Sequence, residues 1–247
     1  MIKILLKNGD ITEFFAFPCT EQEMTIIETK LKLDGDPIVD KALSPRQLSG
    51  LEGHFVDLDK LNYLAKRMES FDQYEKNCFL AIAKTKGISN VKDLINLTFN
   101  TGAYVLISDF SDMESIGRKY ILATRGGISS DELEMLDLEQ IGQNLLSSGK
   151  GELTGLGALF KNEEWIYEEP YDGENFPPYY YKSSLVIAEL TYNGKIENLY
   201  LPDEDIAIDK AVKRLGAEKA EECSCDFTEF VFMDTNDSYF EKLLKKI

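Results

Sequence analysis

Residues 2–31 read IKILLKNGDITEFFAFPCTEQEMTIIETKL and predict a small sheet followed by a helix. The Asn8-Gly9 pair lies between two apolar runs. It is a strong hairpin signal, because both residue types tolerate positive φ. We therefore expect two antiparallel strands, over residues 2–7 and 11–17.

A helix is predicted directly after the hairpin. Thr20 and Glu23 have the spacing of a capping box, in which each side chain bonds the backbone N–H of the other residue. Met24, Ile27 and Leu31 then recur at helical spacing. The unit is thus predicted to be a ββα module that ends at the following Asp-Gly-Asp-Pro run.

A similar unit lies near the other end of the chain. A predicted strand over 185–192 leads through Asn193-Gly194 into a return strand over 196–201. Acidic residues then open a helix whose apolar stripe extends to Leu215.

The two units match with a small shift in spacing. Pairing Asn8 with Asn193 gives an offset of 185 residues, whereas pairing Leu31 with Leu215 gives 184. We infer a one-residue deletion in the return strand and predict that the two units share one fold. The alternative is two unrelated hairpins, since Asn-Gly turns are common.

The segment over 57–100 predicts three short amphipathic helices. The first helical stripe consists of Leu58, Leu61, Leu64, Ala65 and Met68. A capping box at 70–73 opens the second helix, and the third stripe consists of Val91, Leu94, Ile95 and Phe99. Three such helices with brief connections form a small bundle.

The next segment mixes strands and helices. A strand is predicted over 103–107, and helix caps are predicted at 111–114, 129–132 and Asp137. A closing hairpin is predicted from 152–160 and 164–167.

The predicted fold class is α+β, with several small domains in a row. The domains are a ββα module (1–50), a helical bundle (51–101), an acidic α/β domain (102–176) and a second ββα module (177–247). The last domain begins with an aromatic linker at 177–181 and ends with a predicted helix over 236–247.

The net charge excludes several kinds of partner. The chain carries 27 Lys and Arg against 44 Asp and Glu, a formal charge of −17. Direct nucleic-acid binding needs cationic side chains that displace counterions, and anionic membranes also attract cations. We therefore expect neither partner. The sequence offers no secretory signal at its start and no apolar run of transmembrane length, so we expect a cytoplasmic protein.

Residues with catalytic or metal-binding potential are few. His54 is the one histidine, and no nucleophile signature lies near it, so we expect a surface residue. Cys223 and Cys225 form a C-x-C rather than the C-x-x-C of a zinc site. The glycines of 149–157 follow a predicted helix and enter a strand, the reverse of a phosphate loop. We expect no catalysis, no cofactor and no metal.

The acidic residues are concentrated in one part of the chain. Residues 109–174 contain 15 acidic and 5 basic residues, a net charge of −10, whereas 51–100 contain seven of each. Most of the acids in 109–174 precede or open predicted helices, so we expect them to be exposed. The candidate partner-binding residues are Asp109, Asp112, Glu114, Asp131, Glu132, Glu134, Asp137, Glu139, Glu163 and Glu164.

Three strings in the middle of the chain resemble the ArdA antirestriction proteins of bacterial conjugative plasmids and transposons. They are LDKLNYLA at 58–65, VKDLINLT at 91–98 and IGRKY at 116–120. The resemblance covers roughly residues 50–160. It implies a row of small α/β and helical domains, usually dimerised. It also implies acidic side chains that mimic duplex DNA and occupy the DNA groove of Type I restriction-modification enzymes, without catalysis or cofactor.

Two functional hypotheses follow. The first is a DNA-mimic inhibitor of Type I restriction-modification enzymes, acting as a homodimer. The second is an accessory protein of a conjugative element, built on the same fold, that binds another protein and mimics nothing. The neutral stretch over 51–100 and the module after residue 180 are departures from the resemblance that favour the second hypothesis.

Overall fold

The structure is a computed structural model and describes residues 1–177, 186–201, 203 and 205–230. The predicted terminal helix over 236–247 and most of the predicted aromatic linker lie outside these residues. The described part contains three antiparallel three-stranded sheets and separate helices. This arrangement confirms the predicted α+β class. None of the helices it contains has the length and apolarity needed to cross a membrane.

The first module has one strand more than the sequence predicted. Its elements are β1 (Ile2–Asn8), β2 (Ile11–Phe17), α1 (Glu21–Leu31) and β3 (Ile38–Ser44). The strand order is β2-β1-β3, with both pairs antiparallel. The capping box of Thr20 and Glu23 is present as predicted. The module is therefore ββαβ, and the prediction that it ends before residue 38 was wrong.

The predicted helical bundle is present, with one change at a helix start. Its helices are α2 (Leu58–Glu69), α3 (Gln73–Thr85) and α4 (Val91–Thr98). The predicted stripe of α2 is buried throughout. However, α3 is capped by Asp72 with Glu75, not by Ser70 with Gln73. Ser70 instead ends α2, where its backbone N–H bonds Arg67 O.

The acidic α/β domain is built around one small sheet. Its elements are β4 (Tyr104–Ile107), α5 (Met113–Arg125), α6 (Ser130–Glu134), α7 (Leu138–Ser147), β5 (Glu152–Thr154) and β6 (Gly157–Lys161). The strand order is β4-β6-β5. The closing hairpin is β5 with β6, so the prediction that 164–167 form its second strand was wrong.

The second module repeats the topology of the first. Its elements are β7 (Val186–Tyr192), β8 (Lys195–Leu201), α8 (Asp205–Leu215) and β9 (Ser224–Phe230), and its strand order is β8-β7-β9. The first three elements begin 184 residues after β1, β2 and α1. The predicted sharing of one fold is confirmed in element order and strand order.

The hairpin turns correct the predicted alignment. Asn8 is the last residue of β1 and pairs with Ile11, so the loop of the first hairpin is Gly9-Asp10. Gly9 has φ 58° and Asp10 has no positive φ, the pattern of a type II′ turn. In the second hairpin both loop residues, Asn193 and Gly194, have positive φ, the pattern of type I′.

The correct offset between the modules is therefore constant along both hairpins. Ile2 pairs with Phe17, and Val186 pairs with Leu201, 184 residues later in each case. The Asn-Gly pairs are displaced by one position and are not equivalent. The one-residue deletion inferred from them was wrong.

A shared irregularity strengthens the repeat. The β1–β3 pairing shifts register between Lys3 and Ile4, and the β7–β9 pairing shifts between Ile187 and Ala188. Lys3 and Ile187 are 184 positions apart, as are Ile4 and Ala188, so the two irregularities lie at equivalent positions of the modules. Such a bulge inserts an extra residue into the partner strand, so the third strand loses the alternation that marks a strand in sequence. This is why β3 and β9 escaped prediction.

The chain divides into two compact units. Unit 1 consists of 1–18 and 33–169, and unit 2 consists of 19–32 and 170–247. Unit 1 does not separate at residues 50 or 101, because the bundle packs on the acidic domain. Tyr74 of α3 accepts a hydrogen bond from the backbone N–H of Leu106 at 3.2 Å.

Unit 2 brings the two equivalent helices together. Lys210 of α8 forms ion pairs with Glu21 and Glu28 of α1, each at 3.5 Å. Arg214 contacts Glu197 of β8 at 2.7 Å. Except for exposed Glu28, these side chains are largely covered, so their charges are less screened than those of surface pairs.

Candidate functional site

Two glycines allow the acidic helices α5 and α7 to pack closely against each other. A Cβ atom on Gly117 would lie 2.0 Å from the carbonyl oxygen of Leu138, and one on Gly142 would lie 2.1 Å from that of Met113. Helices α5 and α7 therefore cross backbone against backbone. Met113 shares an apolar cluster with Leu145 near the end of α7, whereas Ile121 shares one with Leu138 at the start of α7. The two helices therefore run in opposite directions, and their N-caps lie on opposite sides of the crossing.

Both of these packed helices start with predicted site residues. Asp112 and Asp137 are the N-caps of α5 and α7, and Glu114 and Glu139 lie in the adjacent first turns. All four residues are exposed. Each helix thus carries two exposed carboxylates at its start.

Several of these carboxylates also stabilise the helices that carry them. Asp112 accepts hydrogen bonds from the backbone N–H groups of Glu114 and Ser115, and Asp137 accepts one from Gln140. Glu132 completes a capping box with Ser129 at the start of α6. These bonds satisfy N–H groups that a helix start leaves without partners.

Local hydrogen bonds keep some of the carboxylates charged. The pKa of Asp112 is lowered, first by the Ser115 hydroxyl and then by its backbone N–H. The pKa of Glu132 is lowered by the backbone and hydroxyl of Ser129, and that of Asp109 by Ser111. A lowered pKa means that the negative form is favoured to lower pH than usual.

All ten predicted site residues lie at the surface. Two of them are partly neutralised, because Glu114 pairs with Arg118 at 2.8 Å and Glu163 pairs with Lys161 at 3.0 Å. Exposed pairs of this kind are weak and leave the carboxylates able to exchange partners. The ten residues therefore form an ionised surface that a cationic partner can reach.

Glu163 and Glu164 belong to a different structural element, which we call the 163–169 strip (Glu-Glu-Trp-Ile-Tyr-Glu-Glu). It has no strand or helix over 165–169. Fully buried Asn100 holds it in place. The Asn100 amide donates to Glu168 O at 2.7 Å, and its Oδ1 accepts from Trp165 Nε1 at 3.1 Å and from Glu168 N at 3.0 Å.

A second buried asparagine anchors the start of the strip. The Asn162 amide donates to Gly102 O at 3.0 Å, and its Oδ1 accepts from the backbone N–H of Glu164 at 3.2 Å. The Trp165 indole lies directly against Gly102, where a Cβ atom would be 2.3 Å from the ring. The backbone of the strip is therefore fixed although it lies on the surface.

The strip presents apolar side chains between acidic ones. The exposed fractions of Trp165, Ile166 and Tyr167 are 41%, 82% and 49%. The four glutamates of the strip are exposed as well. The pKa of Tyr167 is raised, first by burial and then by the negative charges of Asp93 and Glu169.

Sequence reasoning found the acids of this strip but not what holds them. Asn100 and Asn162 carried no signal in the sequence, because an asparagine just after a helix or a strand is ordinarily a surface residue. Only the fold shows that both are buried and bonded to the backbone of a distant segment.

The residues considered for catalysis have ordinary environments. His54 is exposed. Burial raises the pKa of Cys78 to about 12, and it also raises the pKa of Cys223 and Cys225. An activated cysteine needs a lowered pKa, so these thiols are not set up as nucleophiles. The described residues contain no group of His, Cys, Asp and Glu able to hold a metal.

The glycine-rich segment has a structural role. Gly149 has φ 66° just after α7, and Gly157 has φ 140° at the start of β6. The segment therefore leads from a helix into a hairpin, as the sequence predicted.

No protein-family model matches the chain, and no curated protein matches it.

Proposed function

We propose that the protein inhibits Type I restriction-modification enzymes by presenting the acidic surface of residues 109–174 in place of DNA. The observation that carries this proposal is that all ten candidate carboxylates of this segment are exposed. A basic DNA-binding groove attracts such a surface.

The amount of charge is sufficient for a short mimic. Duplex DNA carries about one negative charge per 1.7 Å of axis, so the net −10 of this segment corresponds to about five base pairs. In the proposed homodimer the two copies would correspond to about ten base pairs. The protein itself would bind no nucleic acid, because like charges repel, and would catalyse no reaction.

The test is to measure affinity for a purified Type I restriction-modification complex at several ionic strengths. The charge variant combines Asp112→Asn, Asp131→Asn, Glu134→Gln, Asp137→Asn and Glu139→Gln. Asparagine caps helices about as well as aspartate, so the helix starts are kept while the charge is lost. Circular dichroism verifies the fold.

A matched control removes the same charge elsewhere. Asp10, Glu13, Asp34, Asp36 and Asp40 are exposed residues of 1–50, and their Asn or Gln variants change the net charge by the same +5. Exposed charges contribute little singly, so five together should weaken binding about tenfold or more at low ionic strength. The control should bind nearly as the wild type does.

The salt dependence separates this proposal from the second hypothesis. Binding of a DNA mimic should weaken as salt rises, since ions screen exposed charges over about 10 Å at 0.1 M. A salt-independent affinity, or equal binding by the charge variant, would refute mimicry. The exposed Trp165, Ile166 and Tyr167 would then favour an accessory protein that binds through apolar contacts.

A further inference from the structure

An exposed isoleucine beside two half-exposed aromatic rings is an unusual surface. Isoleucine is among the residue types most often buried, yet 82% of Ile166 is exposed. Trp165 and Tyr167 flank it in sequence and are also accessible. Tryptophan and tyrosine are the residue types enriched where binding energy is concentrated in protein interfaces.

The backbone of the 163–169 strip is also fixed by hydrogen bonds in the free protein. Hydrogen bonds from Asn100 and Asn162 fix its backbone, and Gly102 supports the indole of Trp165. Ordering a loop on binding costs free energy, and a loop that is already ordered avoids that cost.

The charge around the strip selects the chemistry of its partner. Glu163, Glu164, Glu168 and Glu169 surround the apolar side chains, and Asp93 lies close enough to affect Tyr167. Of the bases nearby, Lys161 is already paired with Glu163. An anionic or purely apolar partner would leave these carboxylates uncompensated, whereas lysine and arginine side chains complement them and stack on aromatic rings.

We infer that the 163–169 strip is a preorganised docking site for a Lys/Arg-bearing segment of the inhibited enzyme. Cationic side chains of that segment contact the rings of Trp165 and Tyr167, and its apolar atoms cover Ile166. The inference rests on the proposed function and adds an apolar anchor to an otherwise electrostatic surface. Contacts at the strip therefore set the dissociation rate of the complex.

The decisive variant is Ile166→Ala. Because Ile166 is mostly exposed, its truncation should leave the fold intact while removing the apolar contact. Ile26 is the matched control, since it is an isoleucine of α1 that is 52% exposed and lies outside residues 109–174. Binding of the Type I complex is measured for wild type, Ile166→Ala, Ile166→Leu and Ile26→Ala.

The expected pattern is specific. Ile166→Ala should weaken binding about tenfold, mainly through faster dissociation, while Ile26→Ala binds as wild type does. Ile166→Leu should retain most of the affinity. The salt dependence should stay that of the wild type, because no charge has changed.

Tryptophan fluorescence gives an independent readout, because Trp165 is the one tryptophan of the chain. Its emission should shift to shorter wavelength when the complex forms, as the indole loses contact with water. An unchanged emission in a saturated complex would overturn the inference.

The remaining outcomes separate the two proposals. If wild type and Ile166→Ala bind equally, the docking site is refuted while the proposed inhibition stands. If wild type does not bind the complex, both fail. If Ile166→Ala instead abolishes self-association in sedimentation experiments, the strip is covered by a second copy of the chain and the inference is wrong.

Discussion

The indole Nε1 of Trp165 donates a hydrogen bond to Oδ1 of Asn100 at 3.1 Å, and the two residues are 65 positions apart. Asn100 also bonds the backbone of Asn96 at 2.8 Å, just before the end of α4. The buried amide of Asn100 therefore joins the helical bundle to the 163–169 strip. Since an amide has two donors and an acceptor with two lone pairs, its four bonds use its full capacity.

Replacing Asn100 by Ala should destabilise the fold and release the strip. Groups bonded to Asn100 would lose their partner, and each buried polar group left unsatisfied costs about 1–3 kcal/mol. The emission of Trp165 should shift to longer wavelength as water reaches the indole. Urea unfolding followed by fluorescence measures both effects. Asn144→Ala, at an exposed position of α7, is the control and should change neither.

Gly117→Ala should disrupt the packing of the acidic helices. The added methyl would meet the carbonyl of Leu138 at 2.0 Å, so the backbones of α5 and α7 must separate. Overpacking of this kind costs about 1–3 kcal/mol, and backbone has less room to adjust than side chains. Gly155→Ala has open space and should be nearly neutral. Equal thermal stability of the two variants would contradict the observed crossing.

The carboxyl of Asp112 should titrate below the usual range in the folded protein. Its pKa is lowered by hydrogen bonds from Ser115 and Glu114. A lowered pKa in the folded state contributes stability above the unfolded value, about 3.9, and this contribution is lost as pH falls through the folded pKa. Carbon-detected NMR titration measures the pKa directly.

The matching stability experiment compares wild type with Asp112→Asn over the same pH range. Any advantage of the carboxylate over the amide should shrink below about pH 4, where the carboxyl becomes protonated. An ordinary titration of Asp112, or a difference that grows in acid, would show that the cap is not charge-assisted.

Cys78 should be the most protected of the four thiols. It is buried, and burial raises its pKa to about 12, so almost none of it is thiolate near neutral pH. Alkylation of the native protein, followed by mass spectrometry, should modify Cys19, Cys223 and Cys225 first. These three are partly exposed. Fast native labelling of Cys78 would be inconsistent with its position in α3.

The helices were predicted more accurately than the strands, for a physical reason. Helix signals are local, because a cap such as Thr20 and an apolar stripe such as that of α2 specify a helix within one or two turns. A third strand is specified by its partner in the sheet. The bulges in β3 and β9 removed even the alternation that would have marked those strands.

The amino-acid sequence by itself determined the α+β class, the two related modules, the capped helices and the concentration of acid over 109–174. Its local signals are sufficient for these features because caps, turns and charge depend on neighbouring residues. It also predicted that the ten candidate carboxylates are exposed, since several of them lie at helix starts.

Only the tertiary structure decided which of these features lie together. The contact of Gly117 with α7 packs two helices with acidic starts backbone against backbone, and buried Asn100 fixes Trp165 at the surface. Both relationships join residues far apart in sequence through close packing or buried hydrogen bonds. Such contacts depend on the whole fold, because the presence of a glycine or an asparagine in the sequence does not indicate which distant residue it will contact.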